Sequence, residues 1–130
     1  MTQLRTVLRV ALLAAVASLS AGAAMKDPFA GVWKITATPD GAGKEFTDSL
    51  SFKGGQFTPA ELVKKGWAPA AYEDDVRQGG IAQYTSTIKH PKDGEMKWTG
   101  VITASEIRGN ITWKKPDGDE LRFSYTGTKL

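Results

Sequence analysis

From Met96 to Gly127 the chain repeats one pattern three times, an apolar side chain at every second position with mostly polar ones between. Met96, Trp98, Gly100 and Ile102 alternate with Lys97, Thr99, Val101 and Thr103. Ile107, Gly109, Ile111 and Trp113 alternate with Arg108, Asn110, Thr112 and Lys114. Leu121, Phe123, Tyr125 and Gly127 alternate with Arg122, Ser124, Thr126 and Thr128. A period of two is that of a strand. Three such runs in succession describe antiparallel strands with one face on a core and the other in water.

The rest of the chain extends the pattern. Gly31 to Thr38 sets Trp33, Ile35 and Ala37 on one face and ends at a Pro39-Asp40-Gly41 turn. Phe46 to Lys53 places Phe46, Asp48, Leu50 and Phe52 together, and Gly54-Gly55 supplies the positive φ angles of a tight hairpin into Gln56-Phe57. Thr58-Pro59-Ala60-Glu61 reads as a capping box with proline at the first helical position, opening one short helix, about residues 59–65, closed by Gly66. Trp67 to Gly80, with Pro69 and the acidic Glu73-Asp74-Asp75, reads as the longest loop, a lid or rim. Ile81 to Lys89 is a strand with Ala82, Tyr84, Ser86 and Ile88 alternating against Ile81, Gln83, Thr85 and Thr87; either face could be the inner one.

A two-residue turn at Ala104-Ser105 sets Gly100 opposite Gly109, Trp98 opposite Ile111 and Ile102 opposite Ile107. Facing glycines on an inner face allow a sharp bend, covered by a neighbouring aromatic. Bending of that kind lets a small sheet close. The expected fold is therefore all-β: an antiparallel up-and-down meander of six to eight strands, closed into a small barrel or strongly curled, with one short helix.

The first residues imply export. Arg5 and Arg9 precede an apolar run from Val10 to Val16, continued by Ala17 and Leu19, and Ala21-Gly22-Ala23 has the A-x-A form of a cleavage site. Residues 1–24 read as a signal peptide cut after Ala23 or Ala24, and residues 25–130 as one domain, periplasmic or extracellular after cleavage. The apolar run is too short to span a bilayer as a helix, which takes roughly 20 residues, so no stable membrane insertion is expected. The leader holds two of the 17 basic residues and none of the 14 acidic ones, leaving a net charge of +1. That balance makes no electrostatic case for nucleic acid. With no cysteine, thiol catalysis, disulfides and a lipidated N-terminal Cys are excluded, and four tryptophans must supply much of the packing.

Gly31-Val32-Trp33 opening the first strand resembles the G-x-W signature of lipocalins and the wider calycin group. The downstream residues Phe46-x-Asp48-x-Leu50-x-Phe52, Gly66-Trp67, Tyr72, Trp98-x-Gly100 and Ile107-x-Gly109-x-Ile111-x-Trp113 are similar to small secreted bacterial lipocalin-like proteins of uncharacterised function. The resemblance implies a lipocalin-like barrel and carriage of a small apolar molecule. Lipocalins also pair the G-x-W tryptophan with an arginine on the last strand. Arg122 is the only arginine there, and alternation turns it away from Leu121 and Phe123.

Candidate chemistry is sparse. His90 is the only histidine and stands in a Lys89-His90-Pro91-Lys92 turn, so neither a multi-histidine metal site nor a histidine pair is available. Glu73-Asp74-Asp75 lacks the spaced acids and glycine of a calcium loop. Asp48 shares a face with Phe46, Leu50 and Phe52, and if that face is inward its carboxylate needs a donor. The Asn110-Ile111-Thr112 sequon lies mid-strand and is read as chance. Trp33, Trp98, Trp113, Phe123 and Tyr125 form an inward aromatic set that lines either an apolar ligand pocket or a packed core. No catalytic residue, metal or cofactor is expected. The leading expectation is an exported, non-enzymatic barrel that binds a small apolar ligand or a protein partner. The alternative is an inhibitor of an extracytoplasmic enzyme acting through residues 67–80, with an enzyme third.

Overall fold

A computed structural model describes residues 27–130. The leader expected over residues 1–24 lies outside the described residues. Eight strands follow one another, β1 (Val32–Pro39), β2 (Phe46–Lys53), β3 (Gln56–Pro59), β4 (Ala70–Val76), β5 (Ile81–His90), β6 (Gly94–Thr103), β7 (Glu106–Lys114) and β8 (Glu120–Lys129). Each pairs antiparallel with the next, and β8 returns to pair with β1, Ala37 opposite Tyr125, so the meander closes into a barrel. One short helix, α1 (Ala60–Lys64), interrupts it between β3 and β4 and packs against β2.

The turn chemistry explains the register. Gly54 and Gly55 have φ of +58° and +77°, so a two-residue turn sets Lys53 opposite Gln56. The β6–β7 turn places Gly100 opposite Gly109, Trp98 opposite Ile111 and Ile102 opposite Ile107, as the two-residue spacing requires. On β5 the inner face is Ala82, Tyr84, Ser86 and Ile88, all buried, which resolves that strand's ambiguity.

Two glycines let the wall bend. A Cβ on Gly109 would sit on the Thr99 carbonyl and one on Gly100 would strike the Tyr84 and Tyr125 side chains. Only bare backbone can pass under these two rings. The Tyr84 and Tyr125 hydroxyls hydrogen-bond to each other beneath the bend, and Tyr125 donates to the Thr99 carbonyl at 2.9 Å.

Three expectations change. Residues 67–80 are not one irregular loop: Ala70–Val76 is strand β4, and Gln78–Gly80 is a single 3-10 turn. The strand escapes a reading by alternation because Glu73, Asp74, Asp75 and Val76 are exposed on both faces; pairing with β5, from Tyr72–Ser86 to Val76–Ala82, makes it a strand. The helix has no capping box from Thr58. Thr58 belongs to β3, Pro59 is the residue before the helix, and no side chain at that position caps it. Trp113 is half-buried and packs against the core beside Trp67 without joining the central stack, although β7 is still paired on both sides there.

Candidate functional site

The interior was the first candidate for a site, and aromatic rings occupy it. An unbroken series of contacts runs Phe29–Phe52 (5.1 Å between ring centres), Phe52–Tyr84 (4.8 Å), Tyr84–Phe57 (5.4 Å), Phe57–Trp98 (5.1 Å) and Trp98–Tyr125 (5.3 Å). A tight turn, in which Ala30 N–H donates to the Asp27 carbonyl and Phe29 N–H to Asp27 Oδ1, seats the Phe29 ring against Phe52 and Tyr72. Trp98 is fully buried, and its indole N–H is the one buried side-chain polar atom among the described residues without a hydrogen-bond partner. Leaving such a donor unmade costs about 1–3 kcal/mol. Burial of the whole ring outweighs it.

The five aromatics singled out from the sequence do not share one place. Trp98 and Tyr125 touch in the central stack, while Phe123 packs edge-on against Phe46 at 5.3 Å. Trp33 is buried beneath Lys129, whose Nζ stands 5.6 Å from the ring centre, and its indole N–H donates to the Phe29 carbonyl. The cation over the G-x-W tryptophan is thus a lysine directly opposite it on the last strand. Trp113 meets Trp67 edge-on at 5.9 Å, lies under the Lys115 ammonium at 5.0 Å and donates its indole N–H to the Asp93 carbonyl.

The two side chains with chemistry to offer are both committed to structure. Asp48 is buried and inward, 2 % exposed, and its carboxylate accepts the N–H of Glu61 at 2.7 Å, of Leu62 at 3.3 Å and of Ser49 at 2.7 Å. It therefore caps α1 from β2, satisfying amide donors that a helix start leaves open. Burial pushes its carboxyl above the usual range, and the three amide donors pull it part of the way back.

His90 Nδ1 accepts the N–H groups of Lys92 and Asp93, each at 3.0 Å, so the ring proton is on Nε2 and is donated to the Lys65 carbonyl at 3.0 Å. The ring thereby ties the β5–β6 turn to the end of α1. Beside it Gly66, with φ of +101°, closes the helix: Gly66 N–H reaches the Val63 carbonyl and Trp67 N–H the Leu62 carbonyl, a Schellman ending. That motif favours an apolar residue after the glycine, which is the signal that places Trp67 in the core.

Several open hollows lie on the outside of the described residues. One lies at the rim among Ala68, Lys89, His90, Pro91 and Lys114. Another is a dish on the outer wall over Gly100 and Gly109, where one row of paired positions reads Thr85, Thr99, Asn110 and Ser124. The dish is lined by no acid, while at the rim Glu95 stands opposite both Lys89 and Lys114 across the strands. Among the described residues no three His, Cys, Asp or Glu side chains converge.

Burial also raises the phenols. Tyr84 and Tyr125 are pushed well above the ordinary tyrosine range by loss of water, and Tyr72 is raised by burial together with the charges of Asp27 and Asp74.

Comparison with known proteins adds no relative: no family model, curated protein or solved structure matches the chain.

Proposed function

We propose that this protein is an exported, non-enzymatic β-barrel of lipocalin-like build that binds a protein partner at its surface and carries no apolar molecule inside. The observation behind the reading is the stack of rings from Phe29 to Tyr125, which takes the volume a carrier would keep for its ligand. A barrel of eight strands has room either for its own side chains or for one small ligand, and here the rings take that room. Lipocalin-like build is favoured by the eight-stranded closure and by Lys129 covering Trp33, the position at which the resemblance expects an arginine. The absence of an enzymatic role is favoured by the engagement of Asp48 and His90 in backbone hydrogen bonds. Export rests on the three-part leader.

A titration tests the reading. Fatty acids, retinoids and aromatic dyes are added to the protein while tryptophan emission and the melting temperature are followed. No saturable change and no ligand-dependent rise in melting temperature are expected. A response saturating near one ligand per chain, with a matching rise in melting temperature, would replace this reading with that of a carrier.

A further inference from the structure

The barrel closes unevenly. Between β3 and β4 the register has two pairs, Gln56 with Ala71 and Phe57 with Ala70, and one more hydrogen bond, from Tyr72 N–H to the Gly55 carbonyl. There β3 ends at its hairpin, yet β4 continues through Glu73, Asp74, Asp75 and Val76, held by β5 alone. Because Tyr72 directs its N–H toward β3, the period of two sends the backbone groups of Asp74 and Val76 to the same side. No strand meets them there among the described residues. All four residues are exposed, Val76 by 53 %.

An unpaired strand edge is a template for another strand. The side chains here select what can be added. Glu73 and Asp75 share the outer face, and Asp74 and Val76 the other. Arg77 pairs with Asp75 at 3.0 Å, while Glu73 and Asp74 have no ion pair among the described residues. A second copy presenting the same edge would set acid against acid, which is unfavourable across a strand pair. An extended segment with basic residues at alternate positions would place them against Glu73 and Asp75 and lay its other face beside Val76. We propose that the Glu73–Val76 edge of β4 is a docking site for a basic, extended segment of a partner protein, bound by strand addition. This inference rests on the reading of the molecule as a surface binder, and it names the surface.

The test uses a capped hexapeptide of alternating lysine and valine, a glutamate–valine counterpart, and backbone amide shifts of the full chain. The lysine peptide is expected to shift the amides of Asp74 and Val76 saturably, and to weaken severalfold between low and high salt. The glutamate peptide is expected to leave them unmoved. Asp74→Pro removes one outward N–H and leaves the β5 pairing in place, since proline is tolerated at an edge when its missing donor faces solvent. It should lower affinity at least tenfold with little change in the melt. If Asp74→Pro fails to fold, Glu73→Lys keeps the backbone and should weaken the lysine peptide severalfold, because it sets a cation where the segment's basic residues are placed. The proposal is overturned by no binding at millimolar peptide, by shifts confined to another surface, or by equal binding to the variants. Slow hydrogen exchange of Asp74 and Val76 without peptide would also overturn it, because the edge would then be covered by the chain itself. The apolar-ligand titration does not involve this edge, so either idea can fail alone.

Discussion

At the scale of single residues, the buried polar groups carry the most specific expectations. Tyr125 has one phenolic proton and gives it to the Thr99 carbonyl, so Tyr84 must be the donor in the pair they share. Tyr84→Phe therefore leaves an acceptor short, and should cost about 0.5–1.5 kcal/mol in chemical denaturation. Tyr125→Phe strands the Tyr84 hydroxyl as a buried donor and should cost more, about 1–3 kcal/mol. Both phenols have raised pKa values in the folded state. In the unfolded chain they ionise near pH 10, while the folded chain keeps its protons. Above that pH the unfolded state binds fewer protons, so stability should fall as pH rises; below it the pair adds no pH dependence. Absorbance near 295 nm should show both phenols ionising only with unfolding. Asp48→Ala should cost about 1–3 kcal/mol by leaving the Glu61 and Leu62 amides without their acceptor, and Asp48→Asn, which keeps one oxygen, should cost less. Alternation along β2 was enough to turn Asp48 inward. Its partners were not legible, because they come from a helix start thirteen residues away that only the folded chain brings beside it.

At the scale of elements, what could be read depended on burial. β2 and β5 to β8 each set apolar residues on the inner face at a period of two, and the β2–β3 turn carries glycine where positive φ is needed, at Gly54 and Gly55, while the β6–β7 turn takes positive φ at Ala104. β4 has no such face. Its last four residues are exposed on both sides, so its strand state comes from hydrogen bonds to β5, which leave no mark in side-chain chemistry. The same reason hid the open edge, the most distinctive surface of the barrel. The glycine pair on β6 and β7 was legible because two facing glycines on an apolar face have few other uses. Gly109→Ala should be the worse of the two substitutions, since its Cβ would meet the Thr99 carbonyl, which cannot rotate away, whereas Gly100→Ala meets ring ends. Overpacking of this kind costs about 1–3 kcal/mol. A thermal melt in which Gly109→Ala matched the native protein would show that the wall does not bend there.

At the scale of the whole molecule, closure and filling go together. The return of β8 to β1 removes the edges of the sheet except where β3 falls short of β4, and the rings inside meet from Phe29 at one end to Tyr125 under the glycine bend. Strong curvature could be expected from the meander and its facing glycines, but the spacing of strands left a closed barrel and a curled sheet both open. Whether the interior is hollow could not be read either, because the same tryptophans serve as pocket wall or as core, and only ring-to-ring distances separate the two. Trp98 stands at the centre of that distinction, between Phe57 and Tyr125 and fully buried. The most direct measurement is the change in unfolding free energy of Trp98→Ala in urea. A filled barrel predicts a loss of about 3–5 kcal/mol, the range for removing a buried aromatic from a packed core. A loss below about 1 kcal/mol would mean the ring borders open space, and would contradict the account.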